Sequence, residues 1–562
     1  MSEQPTFNTR AIREKLAAAL GHSVPISVPT TAAARTDDEM LATVTRDELA
    51  AAVGAVLETG ARHVMLLGFD LYGAPSPSGS GAARAADARE SAADARESAA
   101  DRRAAARTDA KAEPRTDARP SIGLAIEEVL AVPNGPIVRL RVEIPKDDRT
   151  YPSLTPLVPA AQWDERECHD LHGIVPAGHP DLRPLVLHDP DVPYKPFIAH
   201  GNGVYQLPVG PIHAGVIEPG HFRFSAVGES VLYLDARLFY THRGIERFVE
   251  GRTFAEALPI VERACGVCTV THATAYSRAV ERLTDTAIPP RARAARVLLA
   301  EMERLYNHVG DLGNMCAGVG FNFGTSRLGW QKERLLRLNE ALTGHRYLMG
   351  VVAPGGLRLD LEKRGLIGLA TAVTEIEHEV RSIVRLLVRS DSFMSRLHGT
   401  GILTRAEALR LGALGVAARA SGLPDDLRRD RPADGYADIK VAQIGASAGD
   451  VAARFHVRAQ EAGVSAAIIA EIAGNLPAGD AIVPLARGPR SGSVALAGAE
   501  GPRGASWLWL MAGSGGRIER LHLRSASFAN WPVVASVVPG NIVPDFPIIN
   551  KSFELCYACT DR

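Results

Sequence analysis

Four of the six cysteines form two C-x-x-C pairs whose spacing suits the binding of a metal ion. Cys265 and Cys268 lie in "ERACGVCTVTH", and Cys556 and Cys559 lie in "CYACTDR". Thiolates favour soft and borderline metal ions, and two cysteines three positions apart can turn toward one ion from a tight turn or a helix start. Each pair could therefore supply half of a four-thiolate site. Because 288 positions separate Cys268 from Cys556, only a tertiary fold could bring the pairs together.

The cysteine pairs also have a plainer interpretation, which is a structural zinc site. Four-cysteine zinc sites are common, but their two pairs normally lie about 15–20 residues apart in compact knuckles. The remaining cysteines, Cys168 and Cys316, are isolated, and we expect both to be small buried side chains. The sequence therefore has no further cysteine cluster from which to build an electron relay of its own.

The composition argues against several classes of partner and location. The chain has 562 residues, with 63 Lys and Arg against 64 Asp and Glu, so no overall field favours nucleic acid or an anionic membrane surface. The N-terminal segment lacks a basic stretch followed by an apolar core, which argues against a secretory signal and favours the cytoplasm. The longest uncharged run near the end is interrupted by prolines, so we expect no membrane-spanning helix.

Residues 1–190 are predicted to form an α+β domain. A helical pattern in "TRDELAAAVGAVLETG" is followed by the strand-like segments "HVMLLGF", "LAIEEVLAV" and "IVRLRVEI". Residues 75–119 interrupt this domain with a low-complexity stretch in which "AADARES" occurs twice in tandem. The apolar residues of this repeat are alanines, which bury too little surface to order a partnered helix. We therefore expect the insert to be disordered.

Residues 205–562 are predicted to form a large, predominantly α-helical domain. Seven apolar residues between 366 and 386 fall at steps of three and four, which indicates one buried helix face. The segment "AARVLLAEMERLYNHVGDLG" has a similar pattern, and Thr404 with Glu407 forms a capping-box sequence at another helix start. These apolar faces are expected to build the core of a helix bundle.

An ordered series of motifs resembles a known enzyme family. "ERACGVCTVTH" and "CYACTDR" look like the two cysteine signatures of nickel–iron hydrogenase large subunits. Around them, "GPIHAGVIEPGHFRF", "THRGIERFVEGRT", "GDVAARFHVRAQE" and "EGPRGASWLWL" follow a pattern shared with the 49-kDa subunit of respiratory complex I. Upstream, "YPSLTPLVPAAQWDERECHDLHGIVPAGHPDLRP" resembles the 30-kDa subunit of complex I. A fusion of these two parts is typical of large subunits of the formate hydrogenlyase and hydrogenase-4 type.

The resemblance implies a nickel–iron centre that is held by all four paired cysteines. By position in the two motifs, Cys265 and Cys556 would bind nickel terminally. Cys268 and Cys559 would bridge nickel to an iron atom that carries carbon monoxide and cyanide. A magnesium ion near the C-terminus is a further expectation that comes from the family.

Four other residues match the surroundings of that centre. Glu218 in "VIEPGHFRF" matches the family's glutamate beside the metal, where a partly desolvated carboxyl can relay protons. Arg503 in "EGPRG" matches the arginine at the open metal position, where its fixed fork of donors stays charged. Arg263 and His272 flank the first cysteine pair. We expect His272 to support a cysteine sulfur by a hydrogen bond rather than to bind metal.

The implied activity is the interconversion of H2 with protons and electrons by heterolytic chemistry. Electrons would pass to an iron–sulfur small subunit, within a complex that includes other complex I-like peripheral and membrane subunits. A formate dehydrogenase and hydrogenase maturation proteins are further expected partners, and nucleic acid is not. The chain would then be cytoplasmic and would attach to the cytoplasmic face of the inner membrane through its partners.

The main alternative is a subunit of the NADH–quinone oxidoreductase C/D type. In that branch the same fold interacts with quinone or serves assembly, and it holds no nickel. The four paired cysteines favour the hydrogenase branch. His213, His308 and Asp311 lie in motifs that both branches share, so these three residues do not discriminate between them.

Two features of the tail depart from the family pattern. Glu554 and Leu555 replace the usual Asp-Pro before the last cysteine pair, which changes the local turn but not the thiol spacing. The family pattern places a cleavage site directly after the position of Arg562, where this sequence ends.

The charged segments 164–167 and 178–183 are read either as a docking face for a neighbour or as a solvated surface.

Overall fold

The computed structural model describes residues 8–28, 39–72, 121–188, 194–213 and 217–562. The predicted disorder of residues 75–119 therefore falls outside the described residues. In the first part, the described helices are α1 (Thr9–Leu20), α2 (Leu49–Leu57) and α3 (Gln162–His172). The described strands are β1 (Ile26–Ser27), β2 (Glu39–Thr43), β3 (Arg62–Tyr72), β4 (Ser121–Ala131), β5 (Ile137–Ile144), β6 (Thr150–Pro152) and β7 (Val175–Ala177).

The first five strands form one mixed sheet in the order β1-β2-β5-β4-β3. β2 pairs with β5 in parallel, and the other neighbours are antiparallel. Side chains of β4 alternate, so Leu124 and Ile126 enter the core that the sheet shares with α1 and α2. Ala125 and Val129 face the other way, toward the second part of the chain. The helix and three strand-like segments predicted here are confirmed.

Residues 164–167 lie in α3 and are buried, so both surface interpretations of this segment are wrong. Burial is tolerated because each of these charges has a partner inside the fold. Glu167 Oε1, for example, lies 2.5 Å from Arg562 Nη2. Residues 178–183 are partly buried, and Arg183 Nη1 lies 3.1 Å from an Asp235 oxygen. Local charge pattern could not reveal partners that are so distant in sequence.

Long helices dominate the second part of the chain. Four of them, α7 (Pro290–Gly318), α8 (Asn322–Thr343), α9 (Lys363–Val388) and α14 (Val451–Asn475), pack side by side as a bundle. Six of the seven apolar residues predicted between 366 and 386 are buried on α9, whereas Leu386 is exposed and Leu387 takes the buried position. The described helices are α4 (Ile245–Val249), α5 (Phe254–Glu262), α6 (Thr269–Thr284), α7 (Pro290–Gly318), α8 (Asn322–Thr343), α9 (Lys363–Val388), α10 (Asp391–Met394), α11 (Arg405–Arg410), α12 (Gly415–Ala420), α13 (Leu427–Asp430), α14 (Val451–Asn475), α15 (Ala526–Val537), α16 (Phe546–Phe553) and α17 (Tyr557–Asp561).

The second part also contains two three-stranded antiparallel sheets, which the expectation of a predominantly helical domain omits. Strands β13 (Val494–Gly501) and β14 (Gly504–Ala512) are buried on both faces, so their sequences lack the polar–apolar alternation that marks a half-exposed strand. The described strands are β8 (Val204–Val209), β9 (His221–Val227), β10 (Ser230–Arg237), β11 (Val352–Ala353), β12 (Gly356–Leu357), β13 (Val494–Gly501), β14 (Gly504–Ala512) and β15 (Ile518–Arg524).

The two parts of the chain meet at the β13–β14 hairpin. The rings of Phe69 and Trp509 lie 5.1 Å apart between centroids, and Trp509 Nε1 donates to Glu127 Oε1 at 2.9 Å. The first sheet therefore covers one face of the second-part sheet, although the division into domains at 1–190 and 205–562 stays a prediction. Across the described residues, no helix combines the length and apolar character needed to span a bilayer.

Candidate metal centre

The first cysteine pair lies in the turn between α5 and α6. Cys268 is the N-cap residue of α6, and Cys265 is completely buried just before it. The start of α6 is fixed from the neighbouring helix α7, because the Glu303 carboxylate accepts hydrogen bonds from Val270 N at 2.7 Å and Thr271 N at 3.0 Å. These amides have no partner within their own helix, so the carboxylate caps the helix that carries the pair.

The second cysteine pair lies on the short helix α17, close to the end of the sequence. Cys556 is the N-cap residue, and its Sγ accepts a hydrogen bond from Cys559 N at 3.3 Å. Cys556 N donates to Ser527 Oγ at 3.0 Å. The chain enters this turn through Glu554, which adopts a left-handed backbone conformation with φ of 52°. The departure from Asp-Pro therefore still gives a turn that presents both thiols.

The fold brings the two pairs together. Cys265 Sγ lies 3.3 Å from Cys556 Sγ, and the sulfur atoms of Cys265, Cys268 and Cys559 all lie within 4.8 Å of one another. All four are free thiols. Among the described residues, this is the one group of three or more His, Cys, Asp or Glu side chains that is close enough to hold a metal ion.

The four thiols differ in how readily they lose a proton. Hydrogen bonds with Cys265 and Cys559 lower the pKa of the Cys268 thiol to about 6. The hydrogen bond with Cys265 contributes most to raising the pKa of Cys556 to about 12, and burial raises the pKa of Cys559 well above its usual value. Crowded buried thiols cannot all ionise together, so a cation that replaced their protons would relieve this repulsion.

Arg503 occupies the turn between β13 and β14 and is buried beside this cluster. Its Nε donates to Glu554 O at 2.8 Å, its Nη2 donates to Asp311 Oδ1 at 3.0 Å, and its Nη1 donates to Asn307 Oδ1. The Arg503 turn also packs tightly against Gly415, where a Cβ would lie 2.2 Å from the Arg503 carbonyl oxygen. The guanidinium is thus held in one position and carries its charge close to Cys265 and Cys268.

His272 and Glu218 both lie near the second cysteine pair. His272 Nε2 lies 3.4 Å from Cys559 Sγ, and burial lowers the pKa of His272 to about 4, so the ring is neutral. Glu218 is half-buried, and burial, together with the neighbouring Cys556 thiol, raises the pKa of its carboxyl. A neutral imidazole can donate to sulfur, and a carboxyl whose pKa is raised holds its proton more readily than an exposed carboxyl does.

Comparisons with known proteins agree on the family. Family models match residues 117–200 (respiratory-chain NADH dehydrogenase, 30-kDa subunit), 243–312 (nickel-dependent hydrogenase) and 325–490 (respiratory-chain NADH dehydrogenase, 49-kDa subunit). Formate hydrogenlyase subunit 5 of Escherichia coli (strain K12) is 35% identical over 452 residues, which cover 76% of this chain and 79% of that protein. The chain belongs to the nickel–iron hydrogenase large subunits of the formate hydrogenlyase type. It is therefore an oxidoreductase subunit.

Two further relatives show the breadth of this hydrogenase family and its structural neighbours. Hydrogenase-4 component G of Escherichia coli (strain K12) is 35% identical over 441 residues, which cover 74% of this chain and 76% of that protein. A chain in the solved structure of the membrane-bound sulfane sulfur reductase, an archaeal respiratory membrane complex, is 25% identical with a TM-score of 0.60. That match covers 64% of this chain and 99% of the other. The shared fold thus extends to a complex named for a different reaction.

The residues at the centre fit the metal group of this hydrogenase family. Four converging sulfur atoms form a soft donor set that suits nickel and iron, and three of the four cysteines are fully buried. A closed structural zinc site would also be satisfied by four thiols. Such a site does not call for the fixed cation of Arg503 and the titratable carboxyl of Glu218 beside the sulfur atoms.

Sequence reasoning missed the arginine that joins the two cysteine segments. The side chain of Arg263 is exposed, and its backbone carbonyl accepts from Arg243 Nη1 at 3.1 Å. Arg243 Nη2 donates to Ala264 O at 2.9 Å and to Ala558 O at 2.8 Å, which are the residues next to one cysteine of each pair. Arg243 lies in the quoted motif "THRGIER", but only the fold shows what its guanidinium contacts.

Two further anchors of the tail were also missed. The Asp561 carboxylate accepts hydrogen bonds from Phe239 N at 2.9 Å and from Thr241 N at 3.0 Å. The buried Arg562 guanidinium lies 2.8 Å from Glu246 Oε1 and also contacts Glu167, which belongs to the first part of the chain. The carboxylate of Asp561 is thus engaged by backbone amides, and the magnesium ion expected near the C-terminus stays a prediction.

Proposed function

We propose that this chain is the catalytic large subunit of a membrane-associated, energy-converting nickel–iron hydrogenase that interconverts H2 with protons and electrons. The observation that carries the proposal is the convergence of the sulfur atoms of Cys265, Cys268, Cys556 and Cys559 beside Arg503. Membership of the formate hydrogenlyase type supports the same conclusion.

The sulfur atoms of Cys265, Cys268, Cys556 and Cys559 would hold the nickel–iron group. When bound, that group, with carbon monoxide and cyanide on iron, supplies the site at which H2 is split heterolytically or formed. The protein keeps the donor atoms in a buried pocket from which bulk water is largely excluded. This burial favours controlled proton transfer through protein groups over leakage to solvent.

Glu218 would move the proton to and from the centre. Burial and the neighbouring Cys556 thiol raise the pKa of this carboxyl, which favours its proton-carrying form beside the centre. Arg503 would orient the reacting species with a fixed fork of donors, since Asp311, Asn307 and the Glu554 carbonyl prevent it from rotating away. His272 would donate to the Cys559 sulfur and tune its basicity.

The electron partner would be an iron–sulfur small subunit. Within the described residues, Cys168 and Cys316 are each buried and remote from the four-thiol cluster, so the chain offers no second set of sulfur ligands. The complex would include other complex I-like peripheral and membrane subunits and a formate dehydrogenase, and maturation proteins would load the metal. The chain would sit on the cytoplasmic face of the inner membrane through these partners.

The second candidate function is that of a complex I-like quinone-interacting or assembly subunit without nickel. The matches to the 30-kDa and 49-kDa subunits of the respiratory-chain NADH dehydrogenase favour it. In that function the four thiols would have no metal to hold. The two candidates therefore differ in one measurable property, the metal content of the mature chain.

Metal analysis of the full chain, purified after co-expression with hydrogenase maturation proteins, tests the proposal. We expect about one nickel per chain and infrared bands from iron-bound carbon monoxide and cyanide. The Cys559→Ala variant should lose the infrared bands because it removes one of the sulfur atoms that would hold the metal group. Cys316→Ala is the matched control, since it removes a buried thiol that lies outside the cluster, and it should keep both signals. A nickel-free wild-type chain in that preparation would support the quinone-interacting alternative.

A further inference from the structure

Three carboxylates at the tail bear on the magnesium ion that the family resemblance predicts near the C-terminus. They belong to Asp561, at the end of α17, and to Glu246 and Glu167, which both contact Arg562. Magnesium takes oxygen ligands at about 2.0–2.1 Å in nearly octahedral geometry, so each carboxylate ligand must point a free oxygen lone pair at the ion. The fit of this ion therefore depends on what these carboxylates already bind.

The Asp561 carboxylate is engaged on both oxygens. Its Oδ1 accepts a hydrogen bond from Phe239 N at 2.9 Å, and its Oδ2 accepts from Thr241 N at 3.0 Å and from Thr241 Oγ1 at 2.8 Å. A backbone amide inside a fold needs such an acceptor. An ion bound by Asp561 would therefore compete with two backbone amides for these oxygens.

The other two carboxylates are joined by the guanidinium of Arg562. Its Nη1 donates to Glu246 Oε1 at 2.8 Å, and its Nη2 donates to Glu167 Oε1 at 2.5 Å. Nη1 also donates to Leu523 O at 2.5 Å, and the guanidinium carbon lies 4.8 Å from the centroid of the Phe528 ring. A divalent ion bound by both carboxylates would have to displace this guanidinium.

Few oxygen atoms remain at the tail for a metal ion. Glu246 Oε2 lies 3.2 Å from His522 Nδ1, so Glu167 Oε2 is the one oxygen of the three carboxylates without a hydrogen-bond partner among the described residues. A single oxygen covers one corner of an octahedron. In the part of the chain that the structure describes, no group of three or more His, Cys, Asp or Glu side chains at the tail is close enough to hold a metal ion. The donor atoms at the tail therefore do not fit magnesium.

One guanidinium instead ties the tail to four elements of the fold. Glu167 lies on α3 in the first part of the chain, Glu246 on α4, Leu523 on β15 and Phe528 on α15. Arg562 is only 2% exposed, and a guanidinium suits such burial because it is planar, weakly hydrated and always charged. A metal ion could join these elements only while it is bound, whereas this cation belongs to the tail itself.

We propose that Arg562 takes the place of the expected magnesium ion. Its guanidinium cross-links Glu167 and Glu246, and the tail that carries Cys556 and Cys559 therefore docks without a divalent cation. The inference does not depend on the nickel–iron group, so a nickel-free chain that overturned the proposed function would leave it standing.

Hydrogen exchange of the full chain, measured by mass spectrometry in magnesium chloride and in EDTA, tests the proposal without any substitution. We expect the peptide that contains residues 556–562 to exchange equally slowly in both solutions. Metal analysis should find no magnesium that stays with the chain after gel filtration. Tail exchange that slows when magnesium replaces EDTA would overturn the proposal, and so would magnesium that is retained by the purified chain.

Substitution of Arg562 tests the cross-link itself. Arg562→Ala should accelerate tail exchange by about tenfold or more, because it removes two hydrogen bonds to carboxylates. Millimolar ethylguanidinium, which can refill the position, should slow exchange again, and Arg562→Lys should restore it only in part because an ammonium lacks the planar fork.

Arg327→Ala, at an exposed arginine of α8, is the matched control and should exchange as the wild type does. Circular dichroism checks that each variant folds. Tail exchange of Arg562→Ala that equalled the wild type, or that did not respond to ethylguanidinium, would overturn the cross-link.

Discussion

The two cysteine pairs are held in place by different means. Cys265 and Cys268 precede α6, a helix of 16 residues, and the loop between them is fixed by α7, from which Tyr306 and Asn307 both donate to Val267 O. Cys556 and Cys559 belong to α17, a helix of only five residues. A helix this short has little stability of its own, so the second pair depends on contacts with distant parts of the chain.

The anchors of the tail come from two regions. The segment 239–246, which ends in the first turn of α4, binds Asp561, Arg562 and the backbone beside the thiols. The start of α15 binds Cys556 and Cys559 through Ser527 and Ser525. The first pair is thus built into the helical core, and the second pair is docked onto it. This difference predicts that a substitution can destabilise the structure around one cysteine pair without affecting the other.

Of the substitutions that test this difference between the two cysteine pairs, Glu246→Ala is expected to have the largest effect. The substitution leaves the buried Arg562 guanidinium without one of its two carboxylates and removes the acceptor of Leu523 N. Breaking a buried charge pair costs about 3–5 kcal/mol, and here the loss should fall on tail docking. Hydrogen exchange should become faster in residues 556–562 and stay unchanged in residues 265–284.

An exposed carboxylate provides the control for this variant. Glu340→Ala on α8 removes a charge that lies 4.0 Å from Arg346 at the surface, and it should leave exchange in both regions unchanged. Equal acceleration of exchange around both cysteine pairs in Glu246→Ala would contradict the separate anchoring of the tail.

An intermediate effect is expected from Glu303→Gln, which acts on the first pair. Burial raises the pKa of Glu303 to about 7 in the folded chain, above the value of about 4.5 for an unfolded glutamate. Its stabilising contribution is therefore complete below about pH 4.5 and is lost as the pH rises through 7. The linked loss is about 3 kcal/mol, and the glutamine variant should lack it.

Chemical denaturation of the metal-free chain at a series of pH values measures this difference. The free energy of unfolding of the wild type should fall relative to that of Glu303→Gln between about pH 4.5 and 7. Glu333→Gln, at a surface carboxylate of α8, controls for the loss of one charge. A constant difference between wild type and Glu303→Gln across this pH range would rule out the raised pKa.

The smallest effect is expected from Ser527→Ala. The variant removes the hydroxyl that accepts from Cys556 N, which is worth about 1 kcal/mol. Thermal unfolding should change little, but exchange of the Cys556 amide should become faster. Ser536→Ala lies on the same helix and affects only a bond to Val533 O, so it should not change that amide. Exchange at Cys556 that matched the Ser536→Ala variant would mean that the serine does not hold the tail.

Many helices and strands could be predicted from the sequence because local residue patterns determine them. The apolar period of α9 and the strand-like segments of β3 to β5 gave the right element types. Thr404 also caps α11, as its side chain accepts from Glu407 N at 3.2 Å. Strands β13 and β14 escaped detection because burial on both faces removes the alternation that marks a strand.

The residues of the candidate site also fall into two groups, those that the sequence singles out and those that only the fold identifies. The thiol spacing and the motif around Arg503 singled out residues that the fold brings together, because their chemistry is unusual wherever they occur. Arg243, Glu246 and Glu167 gave no such signal, since arginine and glutamate in a charged helix or turn normally face solvent. Their partners are hundreds of positions away, and only the tertiary structure identifies them.

The contact between Arg562 and Glu167 has a kinetic consequence. The two residues are 395 positions apart, so their ion pair is among the most non-local contacts of the described chain. The entropy lost on loop closure grows with the length of the loop, and folding slows as contacts become more distant in sequence. We therefore expect the tail to dock after α3 and the segment 239–246 have formed the surface that receives it. In that order of folding, the thiol cluster would stay open until the rest of the protein is assembled.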